Sequence, residues 1–220
     1  EAIAAIVGLP STIDKFDENT FPVFWEKHPS SMTVFEAMKA NAPLLHGNRE
    51  RNIMCSGFVN RGEPEKALKA SYVTIKGDFS TSFVEHAYIE PEAGFAEIRD
   101  GRIEVHACTQ APVMDLEELE KILGINRSNI RIIPTGVGGG FGSKLDISIQ
   151  PYLAIAALKT RKPVRITYSR TESMQSTTKR HPAEMSVQVG ATQDGKLTAM
   201  VFEGLFNTGA YASWGPTVSN

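Results

Sequence analysis

Residues 135–144 read Thr-Gly-Val-Gly-Gly-Gly-Phe-Gly-Ser-Lys, with five glycines among the seven positions 136–142 and one aromatic set between them. Few segments restrict a fold more. Glycine accepts φ > 0 and lets the backbone approach a ligand with no Cβ in the way. The run Ile130-Arg131-Ile132-Ile133 precedes the glycines, and apolar residues at helical spacing follow them. The segment therefore predicts a strand–loop–helix passage, where outward-pointing amides collect anions. A flexible surface turn is the plainer reading. Phe141 at its centre predicts instead a packed loop around a buried ring.

Two familiar phosphate loops can be tested against it. The P-loop requires Gly-x-x-x-x-Gly-Lys-Ser/Thr, but Ser143 separates Gly142 from Lys144, and Leu145 follows the lysine. The dinucleotide fingerprint requires Gly-x-Gly-x-x-Gly; counted from Gly138 its last position is Ser143, and counted from Gly140 it is Leu145. Both patterns fail.

The rest of the chain sets the class. Its 220 residues suffice for one good core or two small ones. A net charge of -2 with mixed signs gives no electrostatic case for nucleic acid or an anionic membrane. No apolar run approaches the ~20 residues of a membrane span. The start, Glu1 to Val7, has no basic segment and no initiator Met. It predicts no signal peptide, and a chain that begins partway through something longer. Cys55 and Cys108 have no metal-finger spacing and read as reduced thiols, which predicts a cytoplasmic protein.

Residues 1–70 read as a small α+β unit. A helix tail is expected over Ala2 to Leu9, an edge strand over Thr20 to Phe24, and a helix capped by Thr33 with Glu36. A second helix should start at Pro64. From Ser71 the alternation turns to strands: Tyr72 to Phe79, Gly94 to Ile98, Ile103 to Cys108, Ile130 to Ile133, Val164 to Tyr168, Glu184 to Gly190 and Leu197 to Phe206. Asp100-Gly101 and Asp194-Gly195 predict hairpin turns. Helices are expected from Met114 to Leu123 and from about Pro151 to Arg161. The mixture is α+β, not a doubly wound sheet.

Candidate chemistry is sparse. Gln110, at a strand end before Ala111-Pro112, could orient a ligand through its amide or be a solvated loop residue. The run Glu85-His86-Ala87-Tyr88-Ile89-Glu90-Pro91-Glu92 puts His86, Tyr88 and Glu90 on one face. Those residues suit either acid/base work or a hydrogen-bonded network supporting a neighbouring loop. His106 and Cys108 share a strand face but are too few for a metal site. His28, His46 and His181 are scattered, and Lys179-Arg180-His181-Pro182 is a compact basic turn. No Ser-His or Cys-His pair is apparent.

Taken in order, the Glu85–Glu92 run, Gln110 and the loop Val137 to Lys144 resemble the molybdenum-binding large subunit of the xanthine dehydrogenase/aldehyde oxidase family of molybdenum hydroxylases. The resemblance extends through Arg161-Lys162-Pro163-Val164-Arg165, Arg170-Thr171-Glu172, Lys179-Arg180-His181-Pro182 and Asn207-Thr208-Gly209-Ala210-Tyr211. It implies that residues 1–70 form the end of a small α/β hammerhead domain, followed over 71–220 by a mixed-sheet first molybdopterin-binding domain, incomplete at its C-terminus. Gln110 would stand beside the molybdenum's terminal ligands. Gly139, Gly140, Phe141 and Gly142 would form the cofactor turn, with the Phe141 N–H aimed at a molybdenum oxygen and the ring excluding water.

The implied reaction is hydroxylation of an electron-poor carbon of an N-heterocycle, using water. Its cofactor would be molybdopterin with molybdenum, in the cytosine dinucleotide form. Electrons would pass to [2Fe-2S] centres and FAD on partner chains or segments, since no cysteine set for a cluster is present here. The implied partners are the remaining molybdopterin-binding part, an iron–sulfur subunit and an FAD subunit, with a small-molecule substrate. Purine-oxidising members place a glutamate after the loop lysine; Leu145 stands there, in the substrate pocket, which weakens a purine assignment. The general base is expected beyond Asn220, leaving no catalytic residue in this chain. An aldehyde oxidoreductase of the same family and a metal-free structural or assembly subunit are the alternative readings.

Overall fold

The structure, a computed structural model, describes residues 3–218. Its principal elements in chain order are α1 (Pro64–Ala70), β1 (Val73–Thr81), β2 (Ala93–Arg99), β3 (Arg102–Ala107), α2 (Pro112–Leu123), β4 (Ile130–Pro134), α3 (Gln150–Thr160), β5 (Val164–Thr167), α4 (Arg170–Ser176), β6 (Ala183–Ala191) and β7 (Leu197–Phe206). They fall into two compact units. One is built from residues up to 24 with 85–179, the other from 25–84 with 180–218. The α+β expectation holds, with several sheets and no barrel among the described residues.

The first unit holds a mixed sheet in the order β4-β3-β2-β5. Strands β2 and β3 form the expected hairpin, with both Asp100 (φ 50) and Gly101 (φ 77) left-handed as a tight two-residue turn demands. Strand β4 then lies parallel to β3, Ile103 opposite Ile130, so the chain must cross over between them, and α2 is that crossover. Alternation along β2 and β3 puts Ala96, Ile103, Val105 and Ala107 into the core with Leu119 of α2 and Ile149, Leu153 and Ala157 of the α3 segment. The last three recur every fourth residue, which makes one helical stripe. Gly94 lets α3 approach the sheet: a Cβ there would stand 2.4 Å from the His106 carbonyl and 3.0 Å from Leu153 Cδ1. Burial of a leucine such as Leu153 contributes roughly 1.5–3 kcal/mol.

The second unit pairs β1, β6 and β7 antiparallel in that order, with α1 packed on the sheet. Its register runs from Val73 opposite Ala191 to Thr81 opposite Ala183. Val73, Ile75 and Phe79 therefore share a face with Met185, Val187 and Val189, and with Met200, Phe202 and Phe206. That face is apolar throughout yet open to solvent: Ile75 is 72% and Met200 64% exposed.

The first 63 residues depart from expectation. Of the helix tail at Ala2 to Leu9, Ala2 lies outside the described residues; 3–9 are irregular, and the helical turn comes at Pro10–Ile13. No strand forms at Thr20 to Phe24. Asp17 accepts the Asn19 N–H and turns the chain into a 3₁₀ turn, and Pro22 has no N–H for a ladder. The Thr33–Glu36 capping box is present, but its helix is a single turn, Val34–Ala37.

Candidate functional site

Strand β3 ends at Ala107, and the buried Cys108 and Thr109 carry the chain to the exposed Gln110. There Gln110 is locked onto the glycine loop. Its backbone N–H donates to the Lys144 carbonyl at 2.8 Å, while its side-chain oxygen accepts from the N–H groups of Gly142 and Lys144, each at 3.2 Å. Two donors facing one end of the amide fix its orientation: Oε1 must face the loop. The –NH₂ end then points elsewhere, and it donates to no group among the described residues.

The loop is an arch of unusual backbone. Gly139 (φ 105), Phe141 (φ 52) and Gly142 (φ 98) are all left-handed, and Ser143 N–H closes the turn on the Gly140 carbonyl at 2.9 Å. Gly140 does not take a positive φ. It is glycine for another reason: a Cβ there would lie 2.3 Å from Gln110 Oε1. The N–H groups of Gly139 and Gly140 bond to no acceptor among the described residues. The expected buried ring is corrected here. Phe141 is 65% exposed, its left-handed backbone (φ 52) leaving Cε2 3.5 Å from where a Cβ on Gly139 would stand.

Behind the arch stands the Tyr88–Glu92 segment. Gly138 N–H donates to Glu90 Oε2 at 2.7 Å, and Glu90 N–H returns a bond to the Gly138 carbonyl at 3.2 Å. Lys144, its side chain only 3% exposed, sends Nζ to Glu90 Oε2 at 2.7 Å and to the Glu90 carbonyl at 3.0 Å. The same ammonium lies 4.5 Å from the centre of the Tyr88 ring, a cation–π contact. The Tyr88 hydroxyl donates to the buried Glu92 carboxylate. Burial, and then that bond, push the Tyr88 phenol up. Burial also opposes ionisation of Glu90, but the Lys144 and Gly138 bonds outweigh it and hold the carboxyl below its usual range. Of the two readings open for this run, the geometry selects the supporting network; the expected alternation of His86, Tyr88 and Glu90 does not hold, because the strand stops at Glu85 and Ala87 is left-handed (φ 50). Leu145 follows at the end of a 3₁₀ turn, half-buried.

Two clusters escaped the sequence reading. Buried Asp115, in the first turn of α2, accepts from Gln150 Nε2 of α3 at 3.1 Å and ties the two helix starts together. Asp115 precedes the core Leu119 by four residues, so it falls on the buried stripe, and that spacing was a usable signal. Glu97, Glu104 and His106 also lie within 4.8 Å of one another across the hairpin. Arg131 reaches Glu104 at 3.2 Å and Arg99 reaches Glu97 at 2.6 Å, while the His106 ring stacks on Phe95 at 4.1 Å. Cations already balance these carboxylates, which makes them an ion-pair network.

His46 Nε2 bonds the Ala210 carbonyl at 2.8 Å in the second unit. The Lys179 ammonium is spent on the Thr177 carbonyl at 2.5 Å, so the basic turn does not offer it to a phosphate.

Comparison with known proteins shows which family the chain belongs to. The molybdopterin cofactor-binding domain family matches residues 45–220. The chain belongs to that family. Within it, the chain is 34% identical over 219 residues to the nicotinate dehydrogenase large molybdopterin subunit of Eubacterium barkeri, covering 99% of this chain and 51% of that protein. It is 28% identical over 222 residues to the xanthine dehydrogenase molybdenum-binding subunit of Escherichia coli, covering 100% of this chain and 29% of that protein. The chain thus spans about half or less of the length of these relatives. Among solved structures, the aldehyde oxidoreductase of Desulfovibrio gigas superposes with a TM-score of 0.75 at 28% identity, over 82% of this chain and 20% of that one.

A molybdopterin cofactor-binding domain needs donors facing an electron-rich, bulky group, and the arch meets that requirement. Its Gly139 and Gly140 amides and the Gln110 –NH₂ are neutral donors with no acceptor among the described residues, set where glycines leave the backbone accessible.

Proposed function

We propose that this chain forms the molybdopterin-binding part of a molybdenum hydroxylase that hydroxylates an electron-poor carbon of an N-heterocycle, using water. The observation that carries the reading is the double use of the Gln110 amide. Its oxygen is committed to Gly142 and Lys144, which turns its –NH₂ into a donor of fixed direction beside an arch whose Gly139 and Gly140 amides meet no acceptor among the described residues. Such donors cost no reorganisation when charge develops on a bound ligand.

Bound molybdopterin with molybdenum would supply the redox chemistry. Gln110, Gly139, Gly140, Phe141 and Gly142 hold and orient that cofactor, with Gln110 and Phe141 beside the molybdenum's own ligands. Leu145 lines the substrate pocket. A leucine offers a purine no hydrogen bond, and the similarity to a nicotinate dehydrogenase subunit supports a nicotinate-like ring. The likeness to an aldehyde oxidoreductase favours an aldehyde as the second reading.

The wider assignment extends the same proposal. The pterin carries a cytosine dinucleotide, and [2Fe-2S] and FAD centres sit on partner chains or segments of a multisubunit cytoplasmic enzyme. The base that activates water lies outside these residues. Residues 1–70 form the C-terminal part of a hammerhead-like α/β domain and 71–220 the first molybdopterin-binding domain; the two compact units each draw on both stretches.

Metal and pterin analysis of the complex purified from its native host tests the core of this reading. Molybdenum and pterin bound in stoichiometric amounts are expected, and their absence overturns it. Turnover across purines, nicotinate and aldehydes then separates the substrate classes.

A further inference from the structure

The pair formed by Glu90 and Lys144 makes a cross-tie that the reading above leaves unused. One carboxylate oxygen, Glu90 Oε2, accepts both the Gly138 N–H at the start of the arch and the Lys144 ammonium at its end, each at 2.7 Å. The backbone of Lys144 meanwhile clasps Gln110 in both directions, through its N–H at 3.2 Å and its carbonyl at 2.8 Å. Lys144 therefore bonds to both supports of the arch, Glu90 and Gln110. The fit behind it is close: a Cβ on Gly138 would stand 2.6 Å from Glu90 Cβ, and one on Gly139 2.9 Å from Tyr88 Cβ. The ammonium is buried among groups of this one network, and among the described residues its only anionic partner at salt-bridge distance is Glu90.

We infer that Glu90 and Lys144 are positioning residues for the cofactor arch: the charge pair, its ammonium buried and its carboxylate 31% exposed, fixes the span from Gly138 to Lys144, and so the direction of the Gly139, Gly140 and Gln110 donors, without touching the cofactor. The physical case rests on an asymmetry. Removing Glu90 leaves the buried Lys144 ammonium uncompensated, whereas removing both charges leaves a neutral site that can pack. Stability and donor geometry should therefore respond differently to the same changes, and a purely structural pair would move them together. This inference rests on the proposed molybdopterin-binding role.

The test uses the complete enzyme complex from its native host, carrying Glu90→Gln, Lys144→Met, the double variant Glu90→Gln/Lys144→Met, or Glu90→Asp. Melting temperature, molybdenum and pterin content per complex, and kcat and KM per bound molybdenum are measured for each. Both single variants should melt lower and lose at least ten-fold in molybdenum and pterin content. The double variant should recover most of the melting temperature while cofactor content stays low, and kcat of the loaded fraction should fall with KM little changed. Glu90→Asp, which keeps the charge, should restore cofactor content in part. Wild-type content and kcat in the folded double variant would overturn the inference and leave the cofactor assignment standing. If a single variant does not fold, the double variant and Glu90→Asp still decide the matter. A wild-type complex with neither molybdenum nor pterin would sink the inference together with the reading beneath it.

Discussion

The side-chain oxygen of Gln110 occupies the space that a Cβ on Gly140 would need, 2.3 Å from where that atom would be. Two residues thirty positions apart thus specify each other: one must lack a side chain so that the other can hold the loop.

Gly140→Ala should therefore act on Gln110 and not on backbone freedom. The methyl group displaces the amide and breaks its bonds to Gly142 and Lys144. Molybdenum content of the purified complex should fall at least ten-fold. Gln110→Ala in the same chain should restore part of the melting temperature lost, since the clash is gone, a non-additivity expected of residues in contact. Additive losses in the double variant would show that Gly140 matters for some other reason.

Gln110→Glu and Gln110→Ala separate the two ends of the amide. Glutamate keeps an acceptor for the loop N–H groups but loses the –NH₂ donor. It should leave the melting temperature near that of the wild type while cutting turnover per molybdenum roughly 10- to 100-fold, on the order of 1.4–2.7 kcal/mol of lost stabilisation. Alanine loses both ends and should lower stability and turnover together. Full turnover in the glutamate variant would remove Gln110 from the site.

Asp115 carries a pH prediction. Burial pushes its carboxyl above the usual aspartate range. The folded state then binds the proton more tightly than the unfolded chain does, so stability falls as pH rises from about 3.9 through the raised folded value. At neutral pH the group is a net cost. Asp115→Asn keeps a partner for Gln150 and should raise the melting temperature at pH 7, with a gain that shrinks as the pH approaches 4. Thermal scans at both pH values decide it, and a gain independent of pH would assign the effect to packing.

Ser169 caps α4. Its hydroxyl accepts the Glu172 N–H at 3.2 Å, and the Glu172 carboxylate accepts the Ser169 N–H at 2.7 Å. Ser169→Ala should cost about 1 kcal/mol in denaturant titrations. A loss below a few tenths of that would mean that tertiary packing alone holds the helix.

What the sequence disclosed follows the range of the forces involved. The hairpin at Asp100-Gly101 and the cap at Gly124 are set by local backbone preference, and the residues announce them. Strands β2 and β3 announce themselves because one face is buried, which imposes alternation. Helix α4 carried a legible Ser-x-x-Glu signature but has only Met174 as a large apolar residue, so no stripe drew notice to it. The glycines of the arch stand out in the sequence, yet the reason for Gly140 is hidden there, because it lies in a contact with Gln110 across the fold. Phe141 misled for the same reason: an aromatic among glycines reads as a packed ring, but whether anything covers it depends on distant parts of the fold, and here it is 65% exposed.

The apolar face shared by β1, β6 and β7 has a calorimetric consequence. Side chains such as Ile75 and Met200 are already hydrated in the folded chain, so melting exposes less new apolar area than a protein of this size normally does. Heat capacity of unfolding tracks that area, at about 12–15 cal/mol/K per residue in ordinary domains. This chain alone should fall below that range, with a correspondingly shallow denaturant slope. Any protein that seats on the sheet would raise both values, so the curvature of the stability curve reports how much of the surface is covered.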